Sequence, residues 1–227
     1  MSLYFWLNFF VILGPLLLSF DKKVGFWRRW PPLFLSILVV SGSFIVWDII
    51  VTEIGHWSFS EEFAGTLKIF SLPIGEWLFF ISVPYATIFI YECVRAYTKE
   101  KKLMFPRYIF IAIGLIGLLP LIFFFYKGYT LIDGIVLFIT MLLIFLFKFE
   151  QFQSRWTIIA LFMSYIPFLI FNGIFTYLPI VSYSNEAIIG FRVISIPIED
   201  FFYSFSLISL YLFFYFLFRK YSFKRKK

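Results

Sequence analysis

The sequence predicts an all-α integral membrane protein of seven transmembrane helices, built as a 3+1+3 parallel internal repeat. Its amino terminus is expected outside and its carboxyl terminus in the cytoplasm. Three observations carry this. The chain is too apolar to cover itself with groups that water solvates, its basic residues fall almost wholly on one side of a seven-span layout, and its first three spans match its last three. Of 227 residues, 62% are hydrophobic and 15% charged, with mean hydropathy +0.92. A soluble domain carries about 45–50% apolar and about 25% charged residues. The single cysteine, Cys93, excludes an intramolecular disulfide, and with one histidine, His56, there is no Cys/His cluster for zinc. No metal and no nucleic-acid partner are therefore expected, because the net charge of +7 is accounted for by Lys and Arg flanking the spans.

Taken in order, the apolar stretches run over residues 2–20, 32–53, 73–97, 107–126, 130–147, 156–178 and 197–218. About 20 residues at about 1.5 Å each reach across a hydrocarbon core of about 30 Å. With the amino terminus outside, every basic residue except Lys68, Lys127 and Arg192 lies on the cytoplasmic side, as retention of positive charge requires. Six or eight spans would strand a basic cluster on the wrong face. The first span is followed by Lys22 and Lys23 and preceded by no basic residue, the reverse of a cleavable leader, so it is expected to stay. The tail 220–227, KYSFKRKK, reads as an anchor for anionic headgroups.

The repeat is visible without gaps. KIFSLPIGE, residues 68–76, aligns with RVISIPIED, residues 192–200, so that Ser71 meets Ser195, Pro73 meets Pro197 and Glu76 meets Asp200. At the same offset Phe79 meets Tyr203, Ser82 meets Ser206 and Trp47-Asp48 meets Phe171-Asn172. The single membrane domain 1–227 thus divides into repeat one, 1–97, a connecting span, 98–127, repeat two, 128–219, and the basic tail. Four crossings separate equivalent spans, so both copies point the same way about an axis along the membrane normal.

Candidate chemistry gathers at the outer starts of the third and seventh spans. Glu76, Glu199 and Asp200 lie just inside the apolar boundary there, with Asp48 and Asn172 approaching from the second and sixth spans. Intramembrane carboxylates are costly and usually mark function. A bland reading stands beside this: Ser71 or Ser195, then Pro, then an acid is also a helix start, with a hydroxyl cap and negative charge at the positive dipole end. One cap does not explain two neighbouring acids about 100° apart around a helix. Asp48 with Asn172 reads equally as an interhelical hydrogen bond, Lys68 and Arg192 as interfacial counter-ions, and His56 as a solvated or interfacial loop residue. Of the aromatics, those within a turn of the acids matter: Trp77, Phe79, Phe80, Phe201 and Tyr203. Acids with no metal cluster, nucleotide fingerprint or Ser-His pairing leave proton transfer as the main chemistry, and aromatic faces stabilise a passing cation by about 0.5–2 kcal/mol each.

On Pro197, Glu199 and Asp200, repeated in part as Pro73 and Glu76, the chain resembles the membrane lycopene cyclase domain family over nearly its whole length. That family includes bacterial two-subunit cyclases, each subunit similar to one half of this chain, and the cyclase half of fungal fusions. Gly75 departs from the pattern, standing where the family usually has a second acid, so one working site weighted toward the second copy is expected. The resemblance implies a lycopene β-cyclase, an isomerase of the cell membrane acting on a lipophilic carotenoid among membrane lipid. Glu199 or Asp200 would protonate the terminal alkene of a ψ end, and Glu76 or its partner carboxylate would take a ring proton. Asp48, Asn172, Tyr203, Phe79 and Trp77 would support them. It implies no cofactor, with a loosely bound one left open, and no particular oligomeric state. The rival from another class is a 3+1+3 small-solute transporter, though the Pro-Gln pairs of small sugar carriers are missing. A retinal protein would need a lysine in the middle of the last span, and there is none. An ε- or γ-ring cyclase differs only in which proton a base removes and a carotenoid hydratase in letting water trap the cation, and a cyclase of longer carotenoids is likewise not separated from these by the sequence.

Overall fold

The computed structural model describes residues 1–224, with side chains described as far as residue 220. Residues 225–227 of the predicted basic tail, and the side chains of 221–224, lie outside the described residues. In chain order the elements are α1 (Leu3–Leu18), a 3-10 turn (Phe26–Arg29), α2 (Trp30–Glu53), β1 (Trp57–Phe59), α3 (Glu61–Ala64), β2 (Lys68–Ile69), β3 (Leu72–Pro73) and α4 (Ile74–Tyr97). They continue as α5 (Tyr108–Leu118), α6 (Leu121–Phe124), α7 (Gly128–Phe147), a second 3-10 turn (Glu150–Gln153), α8 (Arg155–Tyr177), β4 (Val181–Tyr183), β5 (Arg192–Val193), β6 (Ile196–Pro197) and α9 (Ile198–Lys224).

The protein is mostly helical, and among the described residues five helices are long and apolar enough to cross a membrane: Phe26–Glu53, Ile74–Tyr97, Gly128–Phe147, Arg155–Tyr177 and Ile198–Lys220. Two of the seven expected spans are shorter. α1 has 16 residues, and the stretch predicted at 107–126 is broken into α5 and α6. Pro120 sits at that break, where its ring removes an N–H donor and crowds the carbonyl one turn back.

Small β elements interrupt the all-α expectation at one end. β1 and β4 pair antiparallel, Trp57 with Tyr183, Ser58 with Ser182 and Phe59 with Val181. Ser58 and Ser182 are themselves 124 residues apart, so this ladder has two-fold symmetry about the Ser58–Ser182 pair. β2–β3 and β5–β6 are matching hairpins, Lys68 with Pro73 and Arg192 with Pro197. Each turns on a non-glycine residue with left-handed backbone, Phe70 (φ 53°) and Ile194 (φ 60°), a conformation that strains a side-chain-bearing residue.

Apolar side chains gain little by leaving lipid for one another, so packing and interhelical hydrogen bonds hold such a bundle. Ser41 on α2 donates to the Phe80 carbonyl on α4 (2.7 Å) and lies 2.8 Å from the Tyr211 hydroxyl on α9, while Ser36 donates to the Tyr211 carbonyl (2.8 Å). At the opposite end from the sheets, Glu92 on α4 is buried and gathers three elements. Arg95 lies 2.6 Å from it, Arg219 of α9 3.1 Å and Arg29 3.9 Å, and the Tyr215 hydroxyl donates at 2.6 Å.

Candidate functional site

A cavity of about 140 Å³ lies between α1, α2, α4, α8 and α9 and is roofed by the β1–β4 ladder. Its α4 wall runs from Glu76 to Ile90, about 21 Å at 1.5 Å per residue. Polar groups collect under the roof, and below them the lining is mostly apolar, with Val83, Ala86 and Ile90 on α4, Pro167 and Phe168 on α8 and Leu207 and Ile208 on α9, interrupted by the hydroxyls of Thr87, Ser164 and Ser204. The shape suits a long hydrocarbon whose end reaches the polar group while the remainder stays in lipid.

Three carboxyls line the cavity, Asp48, Glu76 and Asp200, at 2%, 8% and 3% exposure. The Asp48 and Glu76 carboxyls interact directly with one another, and since two carboxylates only accept, a single shared proton would satisfy both. Glu76 also accepts from the Tyr4 hydroxyl (2.5 Å), and Asp48 from the Trp57 indole N–H (2.8 Å). Asp200 is held differently. The Tyr129 hydroxyl donates to one oxygen (2.8 Å), and the Asn172 amide (2.8 Å) and Tyr183 hydroxyl (3.0 Å) donate to the other. Three donors around one carboxyl satisfy a carboxylate ion. The cavity thus sets two neighbouring carboxyls able to share a proton opposite a third, Asp200, that is ringed by three donors.

The two copies build these groups by one plan. Tyr4 in α1 donates to Glu76, and Tyr129, at the matching place in α7, donates to Asp200. Asp48 and Asn172 exchange chemistry at equivalent positions, so copy one carries the paired acid and copy two the amide donor. Both copies face one cavity, where the sequence weights the site toward the second.

Glu199 does not line the cavity. It points toward α7 at 1% exposure, accepting from the Thr130 hydroxyl (2.7 Å) and the Ile189 backbone N–H (2.7 Å). Its counterpart is Gly75, where a Cβ would lie 2.5 Å from the Tyr4 ring, so the phenol that bonds Glu76 occupies the space a side chain at 75 would need. Asn172, Phe79 and Tyr203 line the cavity; Trp77 does not, and instead donates to the Ile69 carbonyl of the β2–β3 hairpin (3.3 Å). Neither serine acts as a cap: Ser71 donates to the Ile49 carbonyl (3.4 Å) and Ser195 to the Gly173 carbonyl (3.3 Å). Lys68 pairs with Glu61 at 3.2 Å. Arg192 donates to the Ser195 carbonyl at 2.7 Å.

Sequence reasoning missed Tyr4, Trp57, Tyr129, Tyr183 and Asp133. Tyr4 and Tyr129 recur at nearly the repeat offset, and Asp133 is a carboxyl within an apolar span, so both signals were present. Trp57, Tyr129 and Tyr183 form an aromatic wall, Tyr129 and Tyr183 stacked with centroids 5.7 Å apart and Trp57 edge-on to Tyr129 at 5.1 Å. Burial, then the Asp200 charge, pushes the Tyr183 phenol well above its ordinary range, so it stays a donor. His56 is not simply solvated: its imidazole lies against Gly128, where a Cβ would be 2.1 Å away, and burial pushes its pKa down. Among the described residues, no group of three or more His, Cys, Asp or Glu is placed to hold a metal ion.

Compared with known proteins, a family model described as lycopene cyclase matches residues 1–94 and again residues 126–218. No curated protein and no solved structure matches the chain.

Proposed function

Because the chain belongs to the lycopene cyclase family, we propose that it closes the ψ ends of lycopene into β-ionone rings within the cell membrane. The observation that carries this reading is the cavity that gathers the neighbouring Asp48 and Glu76 carboxyls and the donor-ringed Asp200 carboxyl against one aromatic wall. In orientation, the reading keeps seven crossings with the β1–β4 roof outside, α1 and the α5–α6 stretch crossing as the two shorter spans. The basic residue distribution supports it.

A ψ end enters tail-down between the apolar walls and brings its terminal alkene under the roof. The acid pair breaks an O–H bond and forms a C–H bond at that alkene. The tertiary cation is attacked by the next double bond, which closes the six-membered ring. Tyr129, Tyr183, Tyr203 and Trp57 present ring faces to the charge, and Asp200 faces it as a preorganised anion in a site that excludes water. Asp200 then removes a ring proton, leaving the cyclic alkene. One proton is given and one is taken, so substrate and product are isomers and no electrons are transferred. Glu199 acts from behind Asp200, outside contact with the substrate. A hydratase would need water to reach the cation, and the aromatic and aliphatic lining favours deprotonation.

The test is expression in a host that accumulates lycopene, with pigments resolved by chromatography. The expected result is cyclic carotenoid, with a monocyclic pigment preceding the bicyclic one because one cavity takes one end at a time. Unchanged lycopene, with the protein verified in the membrane, would overturn the proposal in favour of transport.

A further inference from the structure

We propose that the α4 face bearing Val83, Ala86, Thr87 and Ile90 is the groove that holds the unreacting tail of the substrate, and that side-chain size at 86, 87 and 90 decides that a polyene lies along copy one and not along copy two. The proposal rests on the cyclase reading and names what grips the part of the hydrocarbon that does not react. The four residues recur at the spacing of one helix face below Glu76, and all four line the cavity. At the offset of 124 their counterparts on α9 are Leu207, Leu210, Tyr211 and Phe214. Each is larger than its partner in copy one.

The packing shows what that enlargement does. Tyr211 is enclosed at 0% exposure, its hydroxyl 2.8 Å from the Ser41 hydroxyl of α2 and its carbonyl accepting from Ser36 (2.8 Å). Nearer the roof, Tyr203 packs against Phe44 and Trp47 of α2, with ring centroids 5.7 and 5.8 Å apart. α2 and α9 thereby close on one another, and Leu210, Tyr211 and Phe214 do not border the cavity. The equivalent pair, α8 and α4, stands on either side of open space. Ser164 and Phe168 of α8, the counterparts of Val40 and Phe44, line the cavity together with Ala86 and Thr87. The Ser164 hydroxyl donates to the Ala160 carbonyl of its own helix (2.8 Å).

A polyene in the bilayer already lies in hydrocarbon, so entering an apolar groove gains it almost nothing from leaving water. What holds it is contact at van der Waals distance along walls of matching shape. Keeping such a space costs the fold, because small side chains forgo contacts that larger ones would make. Copy two has the larger ones and makes those contacts. Copy one keeps the space directly beneath the carboxyls, as a groove does that packs fully only with its hydrocarbon in place. Extra volume at 86, 87 or 90 therefore displaces the tail.

The experiment uses the full chain carrying Glu76→Gln, which stops ring formation and leaves the substrate in place, purified in lipid nanodiscs from a lycopene-accumulating host. The readout is visible circular dichroism, since lycopene is achiral and gains a band only when a protein wall twists it. The expected result is such a band in Glu76→Gln, its loss when Ala86→Leu and Thr87→Tyr are added together, a weakened band when Ile90→Phe is added, and no change with Leu210→Ala in the filled copy. Ile90→Phe keeps the groove testable if the double substitution does not insert. A band unchanged in either groove variant, lost with Leu210→Ala, or absent from Glu76→Gln itself would overturn the groove. The expected pattern of bands, with no ring formed by the chain that retains Glu76, upholds the groove and overturns only the cyclase reading.

Discussion

Replacing Asp200 by Asn tests the anion at the centre of the site with almost no change of volume. The carboxylate accepts from Tyr129 at 2.8 Å, Asn172 at 2.8 Å and Tyr183 at 3.0 Å. An amide has one accepting oxygen, so its NH2 must face at least one of those donors. Facing Tyr129, the NH2 can donate to the phenol oxygen, which accepts in turn, so the cost in stability is about 1 kcal/mol or less. The larger effect is on the reaction, because the variant has neither the negative charge opposite the cation nor the base that takes the ring proton. Loss of a positioned acid–base group lowers a rate by about 10²–10⁴, which is about 3–5 kcal/mol of barrier at 1.36 kcal/mol per tenfold. The assay is ring formation in membranes from a lycopene-accumulating host, normalised to inserted protein by immunoblot. A rate per inserted molecule equal to that of the unaltered chain would refute the reasoning.

Three further outcomes follow from the packing. Gly75→Ala, which in an exposed helix would raise stability, is expected to lower it by about 1–3 kcal/mol because its Cβ overlaps the Tyr4 ring; an unchanged thermal midpoint in detergent would contradict this. Glu92→Gln is expected to cost about 3–5 kcal/mol, since it leaves Arg95 and Arg219 without their buried carboxylate, with ring formation per folded molecule preserved; loss of the reaction in folded protein would show that this end also serves chemistry. For His56, burial disfavours the imidazolium, so the unfolded chain binds the proton more readily. Stability should therefore fall as pH drops below about 6.5, and His56→Asn should remove that component of a pH series of melting curves.

Much of this arrangement is legible in the chain. Hydropathy places all the long helices because a bilayer leaves a spanning segment no other way to satisfy its backbone. The offset of 124 that aligns Glu76 with Asp200 also aligns β1 with β4 and the two strained hairpin tips. The β1–β4 roof is missed because WSF and VSY are too short to show a strand period, and their pairing depends on the symmetry that brings distant loops together. Glu199 reads as part of the site because it stands beside Asp200. A helix separates neighbours by about 100°, and that rotation sends one acid to the cavity and the other to α7. Gly75 reads as a missing acid, whereas in three dimensions it is the space that Tyr4 fills. Trp77 is turned outward by the hairpin it bonds, a contact that spacing along the helix does not encode.

The most direct test of the central claim is the mass of rings formed in D2O. If the Asp48–Glu76 pair delivers its exchangeable proton to the polyene, each ring closed by the unaltered chain gains one deuterium, and Glu76→Gln closes none. Cyclic product without deuterium, or labelled rings from Glu76→Gln at the full rate, would contradict it.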